Sequence, residues 1–156
     1  MKWRRLYRNQ SGFSLAELLI IVAVIGIVSV LATPAFISYS QAARLKGGAQ
    51  ELATIINQAR QVAITRNTTS CVLQGGNKVR IRVGGCAGTL WTGAGTDTSG
   101  WFNLTEDVRV SSATADVVFT HLGTASTAGA YTVVNPATNR TLRVTVALSG
   151  RITIGP

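Results

Sequence analysis

The sequence is poor in the side chains that carry out acid–base, metal and nucleophilic chemistry. Its 156 residues include six Asp and Glu in total, two cysteines and a single histidine, His121. No nucleophile elbow, paired-carboxylate motif or cluster of metal ligands stands among them. We therefore expect no enzymatic activity, no metal and no cofactor, and we expect His121 to lie in a turn or on the surface of a sheet.

Negative charge is also scarce. The six acidic residues are outnumbered by 15 Lys and Arg, which gives the chain a formal net charge of +9. Such a surplus is typical of proteins that bind nucleic acid or an anionic membrane. Four of the basic residues, Lys2, Arg4, Arg5 and Arg8, precede a long apolar run. Without them 11 basic residues face six acidic ones. Solubility and attraction to phospholipids explain that milder surplus, and a nucleic-acid site is the alternative.

The apolar run covers residues 13–37 and contains one charged residue, Glu17. A helix of that length can cross a hydrocarbon layer of about 30 Å. The basic residues ahead of it place its N-terminus in the cytoplasm, so that the rest of the chain lies across the membrane. The sequence therefore predicts a protein that crosses a membrane once.

The segment that leads into the apolar run reads Gly12-Phe13-Ser14-Leu15-Ala16-Glu17. An ordinary secretory signal is cut after its apolar core, beside small residues, whereas here the notable residues come before the core. The segment resembles the cleavage motif of type IV prepilins. The resemblance implies that residues 1–12 are a leader, that a dedicated membrane peptidase cuts between Gly12 and Phe13, and that the new N-terminal Phe13 is methylated.

Glu17 is costly at this place, because an ionised carboxylate near the end of a membrane helix is strongly destabilised unless a partner neutralises it. The prepilin resemblance implies that the partner is the amino terminus of a neighbouring subunit, which sets the axial register of a filament. The alternative is a glutamate that reaches the headgroup layer and water. Late in the run, Pro34 removes a helical N–H and should bend the helix. Pilin-like proteins commonly carry a proline at this position.

A second helical segment, residues 38–67, is amphipathic rather than uniformly apolar. Its apolar stripe, with spacings of three and four residues, consists of Leu45, Ala49, Leu52, Ile56, Ala59 and Ala63. We expect the stripe to rest on a sheet and the helix to end near Asn67. Gly47 and Gly48 lower helix propensity and predict a weak point that stretches when subunits pack into a filament.

Residues 68–156 show the alternation and the turn residues of short strands. A hairpin is predicted around Gly75-Gly76-Asn77, followed by a loop over residues 84–100. The predicted strands cover residues 70–74, 78–83, 108–111, 117–120, 131–135, 142–148 and 151–154, with Trp101 and Phe102 covering the edge of the sheet or helix. The fold class is therefore α+β, with a long N-terminal helix packed on a small antiparallel β head.

The two cysteines lie close together in this predicted hairpin. Cys71 is in its first strand and Cys86 comes just beyond its second strand. Their spacing fits no zinc or thioredoxin pattern. A disulfide is the favoured interpretation, and it would contribute about 3 kcal/mol by closing the loop between them. Two buried free thiols are the alternative.

The C-terminal half carries a second family pattern. It consists of Phe119-Thr120-His121-Leu122-Gly123, the strand at residues 131–135, and residues 143–154 with Ser149-Gly150-Arg151. This pattern resembles the GspH/FimT family of minor pilins and pseudopilins. The resemblance implies a helix packed on two small antiparallel sheets and a subunit of low abundance. The implied partners are a prepilin peptidase, other pilins or pseudopilins, and an inner-membrane assembly platform.

Two groups of basic residues are candidates for binding DNA. Lys78, Arg80 and Arg82 alternate along one predicted strand and share a face, and Arg140, Arg143 and Arg151 lie near the C-terminus. Some members of the resembled family are similar to DNA-uptake subunits that carry a Gly-Arg-x-Arg sequence at the end of the chain. Here Thr153 replaces the second arginine, which weakens the DNA interpretation. For the first group the alternative is a solvated edge strand whose cations block pairing with other sheets.

The leading hypothesis is a minor pilin that helps to prime or cap a type IV pilus by docking its N-terminal helix with other subunits. A pseudopilin of a type II secretion apparatus is the first alternative. A filament-tip subunit that captures DNA during uptake is the second alternative.

Overall fold

The computed structural model describes residues 12–104 and 108–156. The expectations about the basic leader residues Lys2 to Arg8 therefore fall outside the described residues. The chain divides into two compact units, one that extends to Tyr39 and one formed by Ser40–Pro156. One helix, α1 (Leu15–Thr65), contributes to both units.

In the first unit, α1 is apolar on all sides. Three hydroxyl side chains there bond within the helix. Ser29 Oγ donates to the Ile25 carbonyl and Thr33 Oγ1 to the Ser29 carbonyl, both at 2.8 Å, and Ser38 Oγ donates to the Ala35 carbonyl at 2.9 Å. These bonds satisfy polar groups that would otherwise need water. Pro34 lies inside α1, where it leaves the carbonyl four residues earlier without its helical donor. The bend expected at Pro34 remains a prediction.

In the second unit, α1 buries the predicted apolar stripe, and Ala49, Leu52, Ile56, Ala59 and Ala63 are completely inaccessible. The helix ends two residues before Asn67. There Thr68 N–H bonds to the Ala63 carbonyl at 3.0 Å and Asn67 N–H bonds to the Ile64 carbonyl at 3.2 Å. With Asn67 at a φ of 49°, these bonds form a Schellman motif, which satisfies carbonyls at the end of the helix.

Ten strands follow the helix in the described residues. They are β1 (Ser70–Gly75), β2 (Lys78–Val83), β3 (Thr89–Leu90), β4 (Trp101–Phe102), β5 (Arg109–Ala113), β6 (Val117–Phe119), β7 (Ala125–Thr127), β8 (Gly129–Asn135), β9 (Arg140–Val146) and β10 (Ile152–Gly155). They form two antiparallel sheets. The first has the order β3-β2-β1-β6-β7, with β4 also paired to β2, and the second has the order β10-β9-β8-β5.

The sequence predictions were accurate for the hairpin and incomplete for the short strands. The hairpin of β1 and β2 forms with Gly76 at a φ of 63° in its turn. The prediction of one loop over residues 84–100 is wrong, because β3 pairs with β2 at Arg82 and Val83. The strand β7 was not predicted at all. Strands of two or three residues are too short to show an alternating pattern.

The core lies between α1 and the two sheets. Tyr131 of β8 is completely buried there. Its hydroxyl donates to the Val72 carbonyl of β1 at 2.8 Å and accepts the N–H of Val117 on β6 at 3.3 Å. Because β8 belongs to one sheet and β1 and β6 to the other, this side chain joins the two sheets. The predicted α+β class, with a helix on two antiparallel sheets, is confirmed.

Candidate processing and assembly site

The bond predicted to be cut lies in an open segment. Gly12, Phe13 and Ser14 precede the helix and are exposed, with Phe13 75% accessible. A side chain added at Gly12 would meet nothing within 4 Å. A peptidase needs an accessible bond, and this exposed segment outside the helix offers one.

Glu17 takes part in a helix cap that the sequence reasoning missed. Its Oε2 accepts the N–H of Ser14 at 3.1 Å, and Ser14 Oγ accepts the N–H of Ala16 at 3.2 Å. The glutamate half of a capping box is therefore present, while the serine hydroxyl caps the second helical residue, and the Ser-x-x-Glu spacing in the sequence is the signal. The carboxylate is therefore held at the positive end of the helix dipole and has acceptor capacity left for another donor.

The apolar side chains that follow Glu17 in the first unit are all exposed. Large apolar residues from Leu15 to Ile37 have accessibilities between 46% for Ile21 and 77% for Leu15. Among the described residues, α1 is the one helix long and apolar enough to cross a membrane. A helix that is apolar on every side requires lipid or other helices around it.

The two cysteines form a disulfide, as the sequence indicated. Cys71 and Cys86 are bonded with a Cα–Cα separation of 4.9 Å. Cys71 is completely buried in β1, whereas Cys86 lies in the turn after β2. The bond ties the start of the segment between β2 and β4 to the centre of the first sheet.

The three basic residues of β2 share one face, but each already has a partner in the chain. Lys78 Nζ lies 3.8 Å from Asp97 Oδ2, and Arg82 Nη1 donates to the Gly88 carbonyl at 3.0 Å. Arg80 stacks over the ring of Trp101, with its Cζ 4.5 Å from the ring centroid. Asp97, Gly88 and Trp101 all belong to the segment that runs from β2 to β4. The three cations therefore hold that segment onto the sheet.

The interpretation of β2 as a solvated edge strand is wrong. Both sides of β2 are paired, with β1 on one side and with β3 and β4 on the other. The sequence could not reveal this, because β3 and β4 are too short to be recognised. Cations with internal partners are also less available to phosphate groups, since each contact would first have to break.

The C-terminal arginines are exposed but are not gathered into one cluster. Arg140 and Arg151 lie at opposite ends of the hairpin of β9 and β10, about 20 Å apart at the rise of a strand. Arg143 lies between them on the outer face of β9, since its neighbour Val144 faces the core. Within the described residues, none of their side chains makes a hydrogen bond or an ion pair. Thr153 is exposed on β10.

The C-terminal family pattern has a structural role around Arg60 of α1. Gly123 and Gly150 have φ values of 80° and 79°. A Cβ at Gly123 would lie 2.9 Å from Ile64 Cδ1 and 3.0 Å from Arg60 Nε, and one at Gly150 would collide with the Gly123 carbonyl oxygen. Only glycine fits at either position. His121 lies in the exposed turn before Gly123, as expected.

No group of His, Cys, Asp or Glu suited to a metal ion occurs in the part of the chain that the structure describes. The geometry instead offers an exposed segment at Gly12 and Phe13, a capped acidic helix start, an apolar helix and a disulfide-bonded β head. These features together define the class of pilin-like filament subunits, which comprises minor pilins and pseudopilins.

Comparison with known families agrees with that class. The family described as type II transport protein GspH matches residues 48–150. The prokaryotic N-terminal methylation motif matches residues 7–33, which include Gly12, Phe13 and Glu17. Because the first match covers most of the head and well over half of the chain, the chain belongs to the GspH family.

Solved structures show the same fold. The type IV minor pilin FimU of Pseudomonas aeruginosa PAO1 is 18% identical, with 72% of this chain and 93% of FimU covered and a TM-score of 0.52. The minor pseudopilin EpsH of the type 2 secretion system of Vibrio cholerae is 12% identical, with 71% and 95% covered and a TM-score of 0.54. At these identities the likeness concerns the fold alone.

Proposed function

We propose that the chain is a minor pilin of a type IV pilus, which assembles through its N-terminal helix to prime or cap the filament. The observation that carries this proposal is the exposed apolar helix of the first unit, whose first turn holds the capped Glu17 within the matched methylation motif. In this proposal residues 1–12 are the leader, 13–37 the filament core, 38–67 the continuing helix and 68–156 the periplasmic head.

Processing comes first in the proposed sequence of events. The basic leader stays in the cytoplasm while the apolar helix crosses the inner membrane. A prepilin peptidase then cuts between Gly12 and Phe13 and methylates the new amino terminus. The cut brings a positively charged amine within a few residues of Glu17, so that neighbouring subunits carry complementary charges at the start of their helices.

Assembly then replaces lipid around α1 with the helices of other subunits. Glu17 can accept a bond from a neighbour's amino terminus because its own cap uses only part of its acceptor capacity. A subunit shifted along the axis would leave that carboxylate unpaired in an apolar environment. Glu17 therefore sets the register, Pro34 shapes the helix, and an inner-membrane assembly platform adds the subunit to the filament.

A pseudopilin of a type II secretion system is the alternative within the same class. Both FimU and EpsH share the fold, so the fold favours neither system. The test is to delete the gene in its own organism and to measure surface pili and secretion of folded exoproteins. Loss of pili with normal secretion supports the minor pilin, and loss of secretion with normal pili supports the pseudopilin.

The DNA-binding alternative has less support than the positive charge of the chain suggested. The cations of β2 are bound to the segment between β2 and β4, and Arg140 and Arg151 lie at opposite ends of a hairpin. The test is salt-dependent binding of duplex DNA by the protein, with and without Arg151→Ala. No binding at low salt would eliminate this alternative.

A further inference from the structure

The second sheet has two edge strands, and only one of them is protected. β5 begins with the exposed Arg109 and has a shift of register between Val110 and Ser112. Charges and bulges of this kind keep an edge from pairing with another chain. β10 (Ile152–Gly155) has no charge, no proline and no register shift against β9. Its outer backbone groups are open to a further strand within the described part of the second unit.

A groove of about 670 Å³ lies beside β10. Its walls come from α1, from the start of β9 with the turn before it, and from the end of β10. The residues that matter for its chemistry are Leu45, Leu142 and Ile154, which are apolar, and Lys46 and Arg140, which are basic. The volume is that of a site for a ligand or a few side chains.

The charge of the groove specifies what it can hold. Lys46 and Arg140 are both exposed, and their side chains make no hydrogen bond or ion pair with any described residue. No Asp or Glu lines the groove. Pro156, the last residue of the sequence, does line it, and its α-carboxylate offsets one of the two positive charges. An occupant with a carboxylate would therefore complement the remaining positive charge, and an occupant with an apolar side chain would cover Ile154, which is 39% accessible.

We propose that β10 and this groove receive an extended acidic strand from a neighbouring subunit of the filament. The strand pairs with the open edge of β10, and every second side chain points into the groove. One of them packs on Leu142 and Ile154, and a carboxylate binds Lys46 and Arg140. A peptide is the occupant because an open strand edge offers a row of N–H and C=O groups, which lipid chains and duplex DNA do not complement. This inference rests on the proposed function, because it needs a filament.

The test places a photoreactive p-benzoylphenylalanine in the full-length protein in place of Ile154. The matched control places it at Arg109, on the opposite edge of the same sheet. Filaments are sheared from cells after irradiation, and cross-linked peptides are sequenced by mass spectrometry. We expect the probe at 154 to cross-link to an extended acidic segment of another pilin-like subunit, and we expect no such product from the probe at 109.

Charge reversal then tests the chemistry of the contact. Arg140→Glu should lower the cross-link yield at 154 by about tenfold or more, whereas Arg109→Glu, with the same change of charge, should leave the yield unchanged. Replacing the partner's acidic residue with lysine should restore the yield in the Arg140→Glu background. Equal effects of the two reversals would overturn the proposal.

Incorporation into filaments is measured on the same preparations by the amount of protein in the sheared fraction. If the protein is absent from filaments, the proposed function fails and this inference fails with it. If the protein is incorporated normally and the probe at 154 gives no product, or gives only lipid or DNA adducts, this inference alone is overturned.

Discussion

The hydroxyl of Tyr131 donates to the carbonyl oxygen of Val72 at 2.8 Å, across the boundary between the two sheets. Tyr131→Phe removes this bond and also the oxygen that accepts the N–H of Val117. We expect the free energy of unfolding to fall by about 1–3 kcal/mol, as measured by chemical denaturation of the full chain in detergent. The matched control is Tyr39→Phe, at a residue that is 73% exposed. This variant should change the free energy of unfolding little.

The same side chain predicts a dependence of stability on alkaline pH. Burial raises the pKa of Tyr131 far above its ordinary value, which is near 10. Above that value the unfolded protein loses the phenolic proton while the folded protein keeps it, so stability falls as the pH rises. Tyr131→Phe should remove the part of the stability loss at alkaline pH that this tyrosine causes. An identical slope in the wild type and the variant would contradict the assignment.

The adjacent glycines of α1 have different roles, although the sequence alone presented them as one weak point. A Cβ on Gly48 would lie 2.6 Å from Val108 Cγ1, whereas a Cβ on Gly47 would meet nothing within 4 Å. Gly48→Ala should destabilise the head by about 1–3 kcal/mol through overpacking. Gly47→Ala should stabilise it by about 0.5–1 kcal/mol through helix propensity. Thermal unfolding measures the stability change of each variant. Equal changes for the two variants would contradict the close contact between Gly48 and Val108.

The predicted stretching at Gly47 and Gly48 concerns the assembled filament and needs its own measurement. Hydrogen exchange in filaments should show weaker protection at these residues than in the turns of α1 on either side. Uniform strong protection would contradict it.

The disulfide should contribute strongly to the stability of the head. Replacing both Cys71 and Cys86 with serine should lower the free energy of unfolding by about 3 kcal/mol, because the unfolded chain is then less constrained. Adding a reductant to the wild type should lower its denaturation midpoint in the same direction. The double variant is the control, since its midpoint should not respond to the reductant.

Glu17→Gln separates the two roles of this residue. Glutamine retains an oxygen that can accept the Ser14 N–H, so the helix cap is largely preserved, but the charge is lost. If the charge sets the register, incorporation into filaments should fall by about tenfold or more, equivalent to about 1.4 kcal/mol. Cleavage of the leader should continue, and its extent is the control. Normal incorporation of the variant would contradict a role for the charge.

The features that were predictable from the sequence are those encoded by neighbouring residues. The stripe from Leu45 to Ala63 has helical spacing, and Cys71 and Cys86 flank a recognisable hairpin. The remaining features depend on contacts between distant segments. Arg80 stacks on Trp101, and Gly150 packs on Gly123 beside Arg60. No pattern among neighbouring residues predicts either contact. The groove beside β10 likewise exists only where the turn before β9 meets α1.

The central claim is that the chain is processed as a pilin before it assembles, and the mass of the mature N-terminus tests it most directly. Mass spectrometry of protein from sheared filaments should find a first residue of Phe13 that carries one methyl group. Gly12→Leu should leave the uncut precursor in the membrane fraction. A mature protein that starts at any other residue, or filaments that contain the uncut chain, would contradict the account.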